Sequence, residues 1–454
     1  MATVEASRKQ SRSVSFWIVA ILVTLLFCSG FVNLLPLPSG GRYPATLLID
    51  GTYFLMGAGL VVVVAQSRGR VPFPLWVGLF LVLIGVYCAL MFHSPEPLMA
   101  QVLGIRSRAG YALVSVFILI AVRQRSELIS LLRLSSGMAV GIAIFGIIQF
   151  VFRGNLPQWL LVSRDTTLFG YYGTDLTRAT GLIGNTIVFA ATMLLFFALG
   201  VGRLVYRFRS RDLLPLGLIL TAIIVSFSRA AMAGAMLIIL CALSFMALRS
   251  RPEKALLATL TLLFPCIGLG LIFAVWPRAL SGVTDSFIYE GLFRGRNASV
   301  SDSTEAHLAF IELAQRTMRQ EPWVGLGVAT QDPGSVHGRT STVITDGAIW
   351  AVFTEGGIIL GVAYATFILS CGGALVVAWR SANYARPLIL GFALFVTFQL
   401  GLASIYNSAI FGKAPFILSW VVFGVIMGLA RGEAVDYGGT IENAKLNRNC
   451  SGAS

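Results

Sequence analysis

The chain is 454 residues long, 56% hydrophobic and only 12% charged, with a mean hydropathy of +0.82. One soluble core cannot hide that much apolar surface, so lipid must solvate much of it, and the expected fold class is an all-α polytopic membrane protein. A net charge of +14 would point to nucleic acid in a soluble chain; here it is first divided between two membrane faces, and no nucleic-acid partner is expected.

The opening MATVEASRKQSRS is basic, and the apolar run behind it lacks a small-residue cleavage site, so it reads as a retained helix rather than a signal peptide. At about 20 apolar residues per crossing, about 12 spans follow in chain order: 16–35, 45–65, 72–92, 101–122, 131–152, 181–202, 212–227, 230–248, 255–276, 349–377, 387–406 and 413–430. Only SFSR, ending at Arg229, separates the seventh from the eighth. An arginine at the bilayer centre costs about 2.5–3.5 kcal/mol or more, so the chain is expected to turn there with Arg229 at an interface. The six cysteines fall mainly inside apolar runs and give no disulfide framework.

Alternate connections (SRKQSR, QSRGR, RQR, RLVYRFRSR, RSRPEK, RSANYAR) collect the lysines and arginines, which makes that side and both termini cytoplasmic. The chain then divides into nine spans over 1–276, a large outer loop over 277–345, three spans over 346–430 and a polar tail, 431–454, expected to lack structure. Within the outer loop, Asp302 can cap a helix with Glu305 three places on. Leu308, Phe310, Ile311, Leu313, Ala314 and Met318 follow at helical spacing before Pro322. These residues predict a short amphipathic helix over the outer mouth of the bundle, and GLG at 325–327 predicts a flexible turn beyond it.

The outer face collects Arg153, Arg164, Arg178, Arg229, Arg278, Arg294, Arg296, Arg316, Arg319 and Arg339, with almost no lysine. Arginine alone offers a planar fork for bidentate contact with phosphate or carboxylate, so the bias points to an oxyanion ligand. Arg178 and Arg229 abut apolar runs, where an unpaired charge is costly. The loop stretch QDPGSVHGRT holds His337, two places from Arg339 and one of three histidines in the chain. Asp346 and Glu355 flank the start of the tenth span as competing bases, and Glu355 is expected to ion-pair with outer arginines. No Asp-x-Asp pair or His/Cys cluster with ligand spacing occurs on this face, so neither metal nor cofactor is expected.

RATGLIGNTIVFAA from Arg178, SFSRAAMAGAML around Arg229, then EPWVGLG, the histidine loop and FTEGGIILG occur in collinear order over roughly 170–370. In this the chain resembles the O-antigen ligase and polymerase superfamily of bacterial inner-membrane glycosyltransferases. It departs from that pattern at His307, which aligns where many relatives carry arginine, and at Gly338 after the histidine. The resemblance implies transfer of a glycan from undecaprenyl diphosphate to a hydroxyl at the periplasmic face. The ligase acceptor would be a sugar of lipid A core; a polymerase or protein O-glycosyltransferase would use the same donor. His337 would be the general base, and Arg178, Arg229, Arg294, Arg296, Arg339 and Arg164 would hold the diphosphate, with Glu355 and Asp346 in support. The competing class is an organic-anion transporter, which usually shows two related halves; no internal repeat is found here.

Overall fold

The structure is a computed structural model that describes residues 12–33, 44–66, 73–152, 155–157, 160, 170–171, 174–248, 311–331, 347–404 and 411–451. The described chain is almost entirely helical: α1 (Val14–Phe27), α2 (Pro44–Gln66), α3 (Leu75–Met91), α4 (Leu98–Arg108), α5 (Leu113–Ala121), α6 (Arg125–Val151), α7 (Thr186–Tyr206), α8 (Leu213–Val225) and α9 (Arg229–Leu248), then a helix over 311–320 (α10), α11 (Ala348–Ser381), α12 (Arg386–Val396) and α13 (Lys413–Ser451). One short antiparallel ladder joins β1 (Gly170–Tyr171) to β2 (Thr174–Thr177).

Six of these helices are long and apolar enough to cross a membrane, or seven if the bent α4–α5 pair counts as one span. The protein is therefore a helical membrane protein. Eleven of the predicted apolar stretches contain described helices; the stretch 255–276 lies outside the described residues. Several of these helices are short, among them α1, α3, α8 and α12, so a count of twelve crossings goes beyond what length and composition establish. As the interruption at SFSR predicts, α8 ends at Val225 and α9 begins at Arg229. The tail from Arg431, expected to lack structure, instead continues α13 to Ser451, and no proline interrupts it.

Two helices form the centre. In the spanning windows of α7 and α13, 78% and 83% of residues are buried, against 22–33% for the other four. Glycines let α7 approach α12 closely: a Cβ on Gly202 would lie 2.6 Å from Gly391 N, and one on Gly391 would lie 2.7 Å from Leu199 Cα. Small residues at such a crossing allow the backbone contact that drives helix association where no hydrophobic force acts between helices.

Hydrogen bonds between helix ends fix which ends lie together. At one end, Ser13 at the start of α1 donates to Glu127 at the start of α6 through its N–H (2.6 Å) and hydroxyl (3.0 Å). At the other, Gly30 N donates to Leu182 O (2.9 Å), Gln149 Nε2 to Gly181 O (3.2 Å) and Ala179 N to Val225 O (3.1 Å). Ser94 Oγ donates to Val328 O (2.7 Å) and Lys413 Nζ to Thr46 Oγ1 (2.8 Å). The second end therefore gathers the tail of α1, the starts of α2, α7, α11 and α13, and the segment 321–331. We call it the loop end. The first, where Arg125, Arg133, Arg203 and Arg386 lie, is the basic end.

Candidate functional site

At the loop end, α11 is broken. Gly356 (φ −136°, ψ 16°) and Gly357 (φ 59°, ψ −155°) are non-helical, so backbone groups around FTEGG lose their helical partners. The segment after α10 replaces them. Leu326 N donates to Thr354 O (2.8 Å) and Gly327 N to Glu355 O (2.9 Å), while Ile358 N and Ile359 N donate to Pro322 O (2.8 Å) and Trp323 O (3.3 Å). Each orphaned group would cost several kcal/mol in hydrocarbon, so break and segment hold each other in place.

Glycine is required for this docking. Gly325 has φ +62°, and a Cβ there would sit 2.6 Å from Thr354 O; at Gly357 (φ +59°) a Cβ would run into the Trp323 carbonyl. The GLG expected to be a flexible turn is thus a close backbone contact. Gly357→Ala is expected to cost about 1–3 kcal/mol from a backbone region essentially confined to glycine and to detach the segment, read as faster proteolysis within 322–331. Gly372→Ala on the same helix, where a Cβ meets nothing within 4 Å, should cleave as the parent does.

The carboxylate just ahead of the break is fully buried. Glu355 is 0% exposed, and its partner is Arg108, 5% exposed, with Nε 3.6 Å from Oε2. Gln331 N donates to Glu355 Oε1 (3.3 Å), and Arg108 Nη2 donates to Gln331 O (2.8 Å), so the two backbone polar groups of Gln331 are held by the acid and the base. The guanidinium lies 4.4 Å from the centroid of the Phe411 ring, a cation–π contact strengthened by exclusion of water. A second pair, Arg106 with Asp50, sits two residues away.

Glu355 therefore does pair with an arginine, but with one from a span rather than from the outer loops. Arg106 and Arg108 were not among the arginines singled out from sequence. Gln331 is the last described residue before the segment that carries His337, Arg339 and Asp346, all of which lie outside the described residues, as do Arg164, Arg294 and Arg296.

The remaining sequence-predicted pair meets at one turn. Arg178 Nε donates to Ser226 O (2.9 Å) and its Nη2 to Phe227 O (3.4 Å), and Arg229 opens α9 two residues on. Arg178 thus holds the turn between α8 and α9, where Phe227 adopts φ +52°, an unusual conformation for an aromatic residue. Arg229 is exposed beside it. Behind the turn, buried Gln149 accepts from Thr180 N (3.2 Å).

Around the site, α10 ends before Pro322 as expected and buries Ala314 and Thr317. Leu313, predicted on its apolar face, is 37% exposed although Thr317, one turn on along the same face, is buried. The capping residues Asp302 and Glu305, and His307, lie outside the described residues. Arg316 and Glu312 form an exposed i,i+4 pair of little energetic weight. Among the described residues no three His, Cys, Asp or Glu side chains are placed to hold a metal ion.

Fold and site together define a helical membrane protein with an interrupted helix and a buried charge pair at one end. No model of a known protein family matches the chain, and no curated protein matches it.

Proposed function

We propose that the protein is a bacterial inner-membrane glycosyltransferase of the O-antigen ligase type, moving a glycan from undecaprenyl diphosphate to a sugar hydroxyl of lipid A core. The observation that carries this reading is the buried Arg108–Glu355 pair gripping Gln331, ahead of the histidine-bearing segment, at the same end as the Arg178–Arg229 turn. Fixed arginines at one end, with a histidine in the segment that follows Gln331, suit departure of a diphosphate. The acceptor oxygen forms a bond to the anomeric carbon as the carbon–oxygen bond to phosphate breaks, and the bonding pair leaves with the diphosphate. His337 takes the hydroxyl proton, and a single displacement inverts the anomeric centre. Preorganised guanidinium groups stabilise the developing charge, so the transfer needs no metal. The loop end then faces the periplasm, with the arginine-rich end and both termini in the cytoplasm, over about twelve spans.

A transporter also uses broken helices, but its discontinuities lie near the bilayer midplane. The break at Gly356–Gly357 falls in the first third of the 34-residue α11, which favours a site near one face. A polymerase or a protein O-glycosyltransferase shares the donor chemistry and differs only in acceptor. A strain lacking the protein should accumulate polymer on the carrier and none on lipid A core. Continued attachment to lipid A core would refute the ligase reading.

The arginine assignment is tested at Arg229, which makes no hydrogen bond to the turn that Arg178 holds. Arg229→Lys keeps the charge and removes the fork, so transfer should fall about 10²- to 10³-fold with the unfolding midpoint unchanged. Arg178→Lys should lower both. Parental transfer by Arg229→Lys would remove that residue from the donor site.

A further inference from the structure

The basic end carries a site that the loop-end chemistry does not use. Arg133 on α6, Arg203 on the last turn of α7, and Arg207 and Arg209 in the following connection line one pocket of about 140 Å³ together with Tyr384 and a single carboxylate, Asp212. Among the described residues none of these four guanidiniums forms an ion pair, so the pocket holds an excess of positive charge. A second cavity of about 210 Å³ adjoins it, walled by Gly137, Val140, Phe196, Leu199, Leu216 and Ile219 between α6, α7 and α8. The two cavities share Leu132, Arg203, Asp212 and Leu388, so the basic pocket and the apolar cleft meet at these four residues.

We propose that this composite cavity binds an anionic phospholipid, with the phosphate among the arginines and an acyl chain in the cleft between α6, α7 and α8. Cytoplasmic enrichment of basic residues accounts for how many arginines stand at this end. It does not account for their convergence at the mouth of an apolar cleft. Charge excess selects an anion, and the adjoining cleft selects one that carries a hydrocarbon tail; a free phosphate would use only the first half. This proposal is independent of the glycosyltransferase reading.

The test is thermal unfolding of the full chain in detergent with added phosphatidylglycerol, phosphatidylcholine or inorganic phosphate. Phosphatidylglycerol should raise the unfolding midpoint, while the zwitterionic lipid and inorganic phosphate should not. In the Arg203→Ala/Arg207→Ala double variant, apparent affinity for phosphatidylglycerol should weaken about thirtyfold, with the lipid-free midpoint unchanged because both side chains are exposed. A second variant probes the tail half. Gly137→Leu places its side chain where a Cβ meets nothing within 4 Å, and it should fold normally yet lose the lipid-dependent shift. An undiminished shift in either variant, an equal shift with phosphatidylcholine, or an inorganic-phosphate shift matching that of phosphatidylglycerol would overturn the proposal.

Discussion

Glu355→Ala is expected to destabilise the protein by about 3–5 kcal/mol, because it leaves Arg108 as an uncompensated charge in a buried site. Arg108→Ala should cost a similar amount for the mirror reason. The pair itself need not contribute net stability, since desolvating both ions offsets much of their attraction. Replacing both together, as in Arg108→Met/Glu355→Met, is therefore expected to recover most of the loss in the unfolding midpoint of the detergent-purified protein. Activity should separate from stability here. The double variant releases the Gln331 backbone from both its acid and its base, so the segment that follows it loses its anchor and transfer should stay low in a folded protein. Single variants as stable as the parent would mean that water reaches the pair. A double variant with full activity would show that the pair matters to folding alone.

The sequence made the helices legible, because long apolar runs broken by arginine-rich connections have few alternative readings. The turn at SFSR was legible for the same reason: Arg229 could not stay inside the bilayer. The partners were harder to read. GIRSRAG places Arg106 and Arg108 inside an apolar stretch, and that cost alone demanded acids nearby. The chain does supply them, but from Asp50 on α2 and Glu355 on α11, far away in sequence, and helical periodicity within one span says nothing about which span lies beside it. The break at Gly356 and Gly357 was not read from the sequence, where 349–377 is one span; that PWVGLG fills the gap depends on a tertiary backbone match that no local propensity encodes. Arg178 reads from sequence as a ligand-binding group, yet in the fold its guanidinium also secures two carbonyls of the α8–α9 turn. That second task is visible only once Phe227 is seen at positive φ.

His337→Ala carries the other large expected effect, a loss of transfer of about 10²- to 10⁴-fold, the usual contribution of a positioned proton acceptor. Binding and turnover should separate, because a base acts on the attacking hydroxyl and need not hold the diphosphate. The alanine variant should therefore still bind carrier-linked donor. Activity of the parent should fall on acidification, since a protonated imidazole cannot accept the proton. If the alanine variant were as active as the parent, Asp346 and Glu355 would be the next bases to test, and the buried ion pair already commits Glu355 to Arg108.

The central claim is metal-independent glycan transfer from a diphosphate carrier, with His337 as its base. It is tested most directly by reconstituting the purified parent and His337→Ala proteins in vesicles with carrier-linked glycan and lipid A core acceptor, in excess EDTA, and measuring the glycosylated acceptor. Product from the parent, and about a hundredfold less or lower still from a variant that binds donor equally well, is the expected result. No product from the parent until a divalent ion is restored, or equal product from both proteins, would contradict it.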